Sequence, residues 1–326
     1  MRRRDFIAVL GGAAAWPFNA GAQAPKMPVI GFLNSASPGE FAPLVDAFRQ
    51  GLNESGFVEG KNVAIEYRWA EGRYDRLPAL AADLVRRQVA LIAATGGLQP
   101  ATVAKAATAT IPILFVTGVD PVQAGLVANF NRPGGNATGA SIYTIQLISK
   151  RLELLNELVP RTKTVALLLN AHSVGGDSGT KEMEAATRAS GQQLLVLKVR
   201  DESEFEEAFA SAVQQGAGAL LCTADPFLTA HRVQLVALAK KYRLPAMYPW
   251  REYVEAGGLM SYGPKITLAY HQIGVYASRI LNGAKPTELP VQAQPKIELV
   301  INLSAAKALG LTVPRLMLYR TSEIIE

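Results

Sequence analysis

Short runs of apolar, often β-branched residues alternate with longer amphipathic stretches along most of this chain. Residues 29–33 are typical of a buried strand, and the stretch that follows has Leu44, Phe48 and Leu52 spaced four apart. This spacing places the three side chains on one face of a helix. The alternation recurs in two blocks, residues 29–139 and 162–248, with polar, glycine-rich sequence between them.

Strands that alternate with helices predict parallel sheets covered by helices on both faces. The two blocks therefore predict an α/β protein with two doubly wound parallel-sheet lobes and a cleft between them. A single helix is predicted over residues 228–242, and a further helix over Ile266–Leu281. The last predicted elements are a strand at 297–303 and a helix at 304–309.

The N-terminus has the layout of an export signal. Arg3 and Arg4 precede an apolar run of 13 residues, 6–18, and small residues follow the run. A helix needs roughly 20 apolar residues to span a bilayer, so the run favours a removable signal over a membrane anchor. We expect a twin-arginine signal peptide at residues 1–22, cleaved after Ala22 rather than Ala24, because a proline would directly follow the second cut. This predicts export to the periplasm through the twin-arginine pathway.

Composition narrows the classes of function. The chain has 326 residues, a length typical of about two domains, and a formal net charge of +6. The basic residues do not cluster with aromatic ones, so nucleic-acid binding is not expected. The single cysteine, Cys222, excludes an internal disulfide, and its apolar surroundings in the sequence predict a buried structural thiol.

In open parallel sheets, ligands bind beyond the carboxyl ends of the strands. This rule selects the loops 34–39, 94–97 and 117–121 of the first block and 170–172, 223–226 and 248–251 of the second. The first three loops are rich in Gly, Ser and Thr, which can cap helices and leave backbone N–H groups pointing into a cleft. A carboxylate or phosphate oxygen would fit such groups, although ordinary turns and caps have the same composition.

Several side chains in these loops have two interpretations. Asp120 and Asp225 each precede a proline, so either could accept hydrogen bonds from a ligand ammonium or cap the next helix. Arg251 could bind a carboxylate with two parallel hydrogen bonds or form a salt bridge on the lobe surface. Tyr248 and Trp250 could stack on an aromatic ligand or pack in the core.

The sequence contains no pattern typical of catalysis. The histidines His172, His231 and His271 lack metal-ligand spacing. The tetrapeptide at 176–179 resembles the serine motif of chymotrypsin-type proteases, but those are all-β proteins. A P-loop, a G-x-S-x-G motif and a complete G-x-G-x-x-G motif are all missing from the sequence. We therefore expect no enzyme activity, no catalytic residue, no cofactor and no metal site.

Four segments together resemble the ABC-transporter substrate-binding proteins of the tryptophan/tyrosine type. They are DPVQAGLV (120–127), RPGGNATG (132–139), REYVEAGGLMSYG (251–263) and NLSAAKALGL (302–311). The resemblance extends over nearly the whole chain after the signal. Residues 172–177 and 317–321 depart from the usual pattern of the family.

The resemblance implies a type I periplasmic-binding-protein fold whose lobes are joined by a three-stranded hinge. The crossings would lie near Tyr143, near Gly263 and at 290–295. The N-terminal lobe would comprise residues 27–142 plus 264–289, and the C-terminal lobe 143–263 plus 290–326. The helix Ile266–Leu281 would then return to the first lobe.

The same resemblance implies a set of ligand-binding residues in the cleft. From the first lobe these are Ser35, Ala36, Thr95, Gly96, Thr117 and Asp120. From the second lobe they are Asn170, Asp225, Tyr248 and Ser261.

The expected function is that of an extracytoplasmic receptor of an ABC importer. It would bind a small carboxylate, an aromatic or branched-chain amino acid or a related acid, between two closing lobes. Its partner would be an ABC permease in the inner membrane, and the receptor would be a monomer. Two alternatives remain open: a ligand-sensing subunit for a membrane sensor kinase, and a periplasmic hydrolase that uses Asp120 or Asp225.

Overall fold

A computed structural model describes residues 27–173, 176–293 and 296–326 of the chain. The predicted signal peptide, residues 1–22, lies outside the described residues. The strands are β1 (Val29–Asn34), β2 (Ala64–Trp69), β3 (Leu91–Thr95), β4 (Ile113–Thr117), β5 (Ala137–Ser141), β6 (Thr164–Asn170), β7 (Gln193–Val199), β8 (Ala219–Cys222), β9 (Ala246–Tyr248), β10 (Met260–Pro264), β11 (Gln292–Ala293), β12 (Ile297–Asn302) and β13 (Glu323–Ile325). The helices are α1 (Pro38–Asn53), α2 (Leu77–Arg86), α3 (Leu98–Ala107), α4 (Ile148–Leu158), α5 (Gly176–Ala189), α6 (Phe205–Gln214), α7 (Pro226–Ala230), α8 (Arg232–Lys241), α9 (Arg251–Glu255), α10 (Ile266–Leu281), α11 (Leu303–Ala308) and α12 (Arg315–Arg320).

The first sheet has the strand order β11-β5-β4-β3-β1-β2, and all its neighbouring strands are parallel. Successive residues of a strand point to opposite faces. Phe32 of β1 therefore shares one core with Phe48 of α1 and Ile273 of α10. Its neighbour Leu33 shares the other core with Leu84 of α2 and with α3. Helices thus cover both faces of the sheet.

The second sheet has the order β13-β12-β10-β9-β8-β6-β7. Its pairs are parallel except for β10 and β12, which run in opposite directions. Leu168 of β6 packs into a core with α6 and α8, and the adjacent Leu167 packs into another core with α4 and α5. The predicted fold, an α/β protein with two doubly wound lobes, is confirmed.

Three connections join the two sheets. The first leads from β5 to α4, the second from β10 to α10, and the third from β11 to β12. Gln292 and Ala293 pair with β5 of the first sheet, whereas the family resemblance assigned residues 290–326 to the second lobe. The third connection therefore begins beyond Ala293.

The helical segment after β8 begins earlier than the apolar periodicity of the sequence predicts. In place of one helix over 228–242 there are two, α7 and α8, with His231 between them. The Asp225 side chain caps α7, and Pro226 occupies its first turn. An aspartate cap followed by proline is a favoured helix start, and it fixes α7 at the edge of the cleft. Within the described residues, every helix is too short or too polar to span a bilayer.

Helix α10 follows a strand of the second sheet, yet it packs against α1 of the first lobe. The two backbones approach closely at Gly51 and Gly274. A Cβ atom on Gly51 would lie 2.1 Å from the carbonyl oxygen of His271, and one on Gly274 would lie 2.1 Å from that of Phe48. Only glycine fits at these positions, so this contact fixes α10 on the first lobe.

We expect the substitution Gly274→Ala to lower the free energy of unfolding by about 2 kcal/mol or more, because the added methyl group meets rigid backbone. Chemical denaturation followed by circular dichroism measures this change. Gly39→Ala is the matched control, since its Cβ would meet nothing within 4 Å in α1, and it should change stability by less than about 0.5 kcal/mol. Equal denaturation midpoints for both variants would contradict this prediction, because they would show that α1 and α10 can move apart without loss of stability.

Candidate ligand-binding site

The carboxyl ends of the parallel strands from the two sheets face each other across a cleft that contains two adjoining cavities. One, here called the aromatic cavity, encloses about 760 Å³ of empty space including its open part. The other, here called the arginine cavity, encloses about 610 Å³ on the same terms. Six residues line both cavities: Gly97, Gly118, Thr144, Ala224, Asp225 and Pro226. The two cavities therefore form one continuous cleft with two ends.

The aromatic cavity has apolar walls from both lobes. Phe41 and Tyr270 come from the first lobe and Trp250 from the second, and each of these side chains is buried. Trp250 thus takes part in the cleft wall and also belongs to the core that is continuous across the lobes. A flat apolar group of a ligand would find contact on both sides here.

Three carboxylates line the aromatic cavity, and their surroundings differ. Glu40 forms an ion pair with Arg232 across the cleft. Asp225 is held by several hydrogen bonds. In the described part of the chain, no hydrogen bond or ion pair from another residue engages the carboxylate of Glu252. Burial raises the pKa of the Glu252 carboxyl above its ordinary value, because desolvation disfavours the charged form.

Asp225 lies between the two cavities. Its Oδ1 accepts hydrogen bonds from the backbone N–H of Phe227 at 2.9 Å and Leu228 at 3.4 Å, and from Asn170 Nδ2 at 3.1 Å. Its Oδ2 accepts from the hydroxyl of Tyr74, in the first lobe, at 3.4 Å. The capping interpretation of Asp225 is therefore confirmed, and the same carboxylate also bridges the lobes. Burial raises the pKa of this carboxyl.

The arginine cavity is lined by Arg151, whose side chain is fully buried. Its Nε donates to the carbonyl of Tyr262 at 2.7 Å and its Nη1 to the carbonyl of Thr144 at 3.1 Å. Its Nη2 has no hydrogen-bond partner among the described residues. Burial lowers the pKa of the guanidinium to about 10.

Arg151 was not predicted from the sequence, although a signal for it was present. Arg151 lies on the same face of α4 as Ile148 and Leu155, at helical spacing, so a charged residue interrupts an apolar stripe. The rule for parallel sheets selects only the loops after strands and therefore passes over this helix. Glu252 was not predicted either, although it lies next to Arg251.

Three of the ten predicted binding residues line the cavities directly: Gly96, Thr117 and Asp225. Four others support the cleft loops from behind. The Ser35 hydroxyl donates to the Gly96 carbonyl at 2.5 Å, Asn34 Nδ2 donates to the Thr95 hydroxyl at 2.8 Å, and the Ala36 N–H donates to Asn34 Oδ1 at 2.8 Å. The fourth is Asn170, which donates to Asp225 and to Tyr74.

The remaining three predicted residues do not line these cavities. The Asp120 side chain accepts from the N–H groups of Val122 and Gln123 and so caps a turn. Tyr248 is stacked on Tyr253 and lines a different cavity, within the second lobe. Ser261 is buried within β10. The strand-end rule covered Asp120 and Tyr248, and the family resemblance alone implied Ser261. The direction of each side chain depends instead on local packing.

Contacts within the second lobe bear on the predictions for Arg251 and Cys222. Arg251 forms ion pairs with Glu255, Glu298 and Glu323, so the surface salt-bridge interpretation holds. Cys222 is buried, as predicted, and burial raises the pKa of its thiol to about 12. In the ranges that the structure describes, His, Cys, Asp and Glu side chains nowhere gather in threes that could hold a metal ion.

The two lobes contact each other directly along the cleft. Besides the Tyr74–Asp225 bond and the Glu40–Arg232 ion pair, Asn170 Nδ2 donates to Tyr74 at 3.2 Å and Gln99 Nε2 donates to the carbonyl of His172 at 3.1 Å. These contacts join side chains that lie far apart in the sequence. They hold the lobes together over the cavities.

Comparisons with known proteins agree with this architecture. The conserved domain protein of Vibrio cholerae has 24% identity and a TM-score of 0.84, covering 92% of this chain and 100% of that one. The ABC domain from Streptococcus pneumoniae in complex with L-Trp has 24% identity and a TM-score of 0.82, covering 91% of this chain and 99% of that one. At this level of identity, both show a shared fold, that of type I periplasmic binding proteins.

The sequence comparisons show the family. A tyrosine-binding protein of Clostridioides difficile is 26% identical over 264 residues, which are 81% of this chain and 75% of that protein. The family described as ABC transporter substrate binding protein matches residues 32–325. Members of this family are binding proteins rather than enzymes, and they act outside the cytoplasm. The chain belongs to the ABC transporter substrate-binding proteins.

Proposed function

We propose that this protein is the receptor of an ABC importer for an amino acid with a large apolar, preferably aromatic, side chain. The observation that carries the proposal is the arrangement of the cleft. An apolar wall and an unpaired carboxylate lie at one end, and groups suited to an anion lie at the other. A zwitterionic amino acid has the same order of apolar, positive and negative groups.

The aromatic cavity would receive the side chain of the ligand. Phe41, Trp250 and Tyr270 offer ring faces and edges from both lobes, and such contacts favour an aromatic ligand over a small one. The relative from Clostridioides difficile is named for tyrosine, and the structure from Streptococcus pneumoniae contains L-Trp. Both names agree with the apolar, aromatic lining of this cavity.

Glu252 would bind the ligand's ammonium group. It is the carboxylate of the aromatic cavity that no other described residue engages, whereas Glu40 is paired with Arg232 and Asp225 is held by hydrogen bonds. Glu252 is partly buried, and a carboxylate in such surroundings gains from a cation that shares them.

The N-terminus of α3 would contribute to binding the carboxylate. Its N-cap residue is Gly97, which has no side chain to accept from the first-turn N–H groups. Gly97, Leu98 and Gln99 all line the arginine cavity. Unsatisfied N–H groups and the helix dipole together favour an anion at this position.

The lobes would open and close about the connections between the sheets. We propose the division into residues 27–142 plus 264–289 and residues 143–263 plus 290–326, apart from the strand β11. Tyr143, at the first connection, has a left-handed φ of 44°, which is strained for a bulky residue and typical of sites that change conformation. A ligand that contacts both lobes stabilises the closed arrangement by its differential affinity.

The wider setting follows from the same function. We propose that the protein is exported to the periplasm through the twin-arginine pathway and acts there as a monomer. The closed form would deliver its ligand to an ABC permease in the inner membrane. This function requires no cofactor and no nucleic acid.

Thermal unfolding in the presence of single solutes tests the ligand class. We expect L-tryptophan, L-tyrosine or L-phenylalanine to raise the Tm of the dialysed protein by about 5 °C at a concentration of about 100 times Kd, because ligand binding adds about 2.7 kcal/mol to stability. Glycine and neutral sugars are the controls and should leave the Tm unchanged. Stabilisation by a sugar but by no amino acid would contradict the proposal.

We expect Glu252→Gln to raise the Kd for the best-binding aromatic amino acid by about 10–100-fold, because a hydrogen bond to a charged group contributes about 1.5–3 kcal/mol. Calorimetry should also show that the wild-type affinity falls at acid pH. Because the pKa of Glu252 is raised, its carboxyl becomes protonated at a higher pH than an ordinary glutamate, and the neutral form no longer attracts the ammonium.

The variant Glu255→Gln is the matched control, because Glu255 pairs with Arg251 rather than lining the aromatic cavity. It should bind like the wild type at neutral pH, and its affinity should still fall at acid pH because Glu252 is retained. The fall should begin at a lower pH, since the charge of Glu255 helps to raise the pKa of the Glu252 carboxyl. If Glu252→Gln binds normally and its affinity still falls at acid pH, another group binds the ammonium.

A further inference from the structure

Arg151 presents an unusual electrostatic situation. Its guanidinium is wholly buried, and no carboxylate of the described residues lies within ion-pair distance. Two backbone carbonyls, from Thr144 and Tyr262, accept hydrogen bonds from Nε and Nη1. Burying an unpaired charge is unfavourable, and neutral carbonyls offset only part of the lost hydration. The remaining donor, Nη2, is unsatisfied within the described residues.

The position of Arg151 shows where an anion could bind to balance its charge. The residue lines the arginine cavity, which lies between the lobes. The same cavity is also lined by Gly97, Leu98 and Gln99, at the uncapped N-terminus of α3. A guanidinium and a helix N-terminus, contributed by different lobes, therefore lie around one space, and both favour an anion.

The acidic group of this cavity is already engaged. Asp225 accepts hydrogen bonds from Phe227, Leu228, Asn170 and Tyr74. It does not contact the guanidinium. Among the described residues, no acidic side chain therefore compensates the charge of Arg151 at this end of the cleft.

Arg151 also contacts two of the connections between the lobes. Thr144 follows β5 on the first connection, and Tyr262 lies in β10, just before the second. The second connection packs closely here: a Cβ atom on Gly263 would lie 2.0 Å from the carbonyl of Pro249 and 3.4 Å from Nη2 of Arg151. The guanidinium is therefore held rigidly at the base of the cleft, where the two lobes meet.

We propose that Arg151, which lines the arginine cavity, binds the carboxylate of the ligand. This inference rests on the proposed function, and it adds a charged side chain to the backbone N–H groups of α3 as the anion-binding groups. A carboxylate at this end of the cleft would place the amino-acid ammonium toward Glu252 and the side chain against Trp250. The role of Arg151 would be selection for an acid over its neutral derivatives.

Calorimetry with L-tryptophan and L-tryptophanamide tests this role, because the amide keeps the ring and the ammonium but lacks the carboxylate. We expect the wild type to bind L-tryptophan at least 100-fold more tightly than the amide. In Arg151→Met, this preference should fall to about tenfold or less, through weaker binding of the acid. Arg151→Lys keeps a cation and should keep a larger part of the preference.

The outcomes separate this inference from the proposed function. If the wild type binds neither L-tryptophan nor the other aromatic amino acids, the proposed ligand class fails. If the wild type binds L-tryptophan, and Arg151→Met weakens the binding of the acid and of the amide equally, Arg151 has only a structural role. The inference is then overturned. An unchanged affinity for L-tryptophan in Arg151→Met overturns it as well.

A measurement on the wild type covers the case in which the methionine variant does not fold. The ¹⁵N signals of the Arg151 guanidinium, assigned by their loss in Arg151→Lys, should shift when L-tryptophan is added. They should shift much less with L-tryptophanamide. A contact between Arg151 and the carboxylate would be contradicted if both ligands shifted these signals equally. It would also be contradicted if both ligands bound and neither shifted the signals.

Discussion

The parallel direction of the strands is the constraint on which the rest of this structure depends. Parallel strands place their carboxyl ends at one edge of a sheet, and the loops from all of them meet there. Two such edges face each other, so the loops after β1, β3 and β4 lie opposite those after β6, β8 and β9. The cleft is therefore a consequence of topology, and local sequence decides only what chemistry it contains.

The chemistry of the cleft depends on how its buried charged groups are satisfied. Removing charged groups from water is costly, so each one in the cleft is paired, hydrogen-bonded or left for a ligand to satisfy. Glu40 and Arg232 satisfy each other across the lobes, and Asp225 is satisfied by α7, Asn170 and Tyr74. The exceptions among these residues are Glu252, whose carboxylate no other described residue engages, and Arg151, whose Nη2 has no partner in the described part of the chain. Their separation along the cleft is what suggests a ligand with both charges.

The sequence predicted the cleft better than it predicted the residues that line it. Gly96, Thr117 and Asp225 line the cavities because each lies at the end of a strand at the shared edge. Tyr248 also ends a strand, but its ring stacks on Tyr253 inside the second lobe. Periodicity gives the position of a residue along the chain, whereas the direction of an aromatic side chain depends on neighbours that are distant in sequence. Arg151 and Glu252 escaped prediction for a related reason, since both are on helices whose approach to the cleft follows from packing.

The sequence by itself determined the alternation of strands and helices, the two-lobed α/β fold and, through four distinctive segments, the family. These features follow from local periodicity and from residue types at fixed spacing. The family resemblance implied that α10 returns to the first lobe, but only the tertiary structure showed the glycine contact at Gly51 and Gly274 through which it packs on α1. Only the tertiary structure showed that Asp225 contacts Tyr74 and that Arg151 contacts two of the three connections. Such contacts join residues far apart in the chain, and their energies depend on distances and burial that exist only after the lobes have packed.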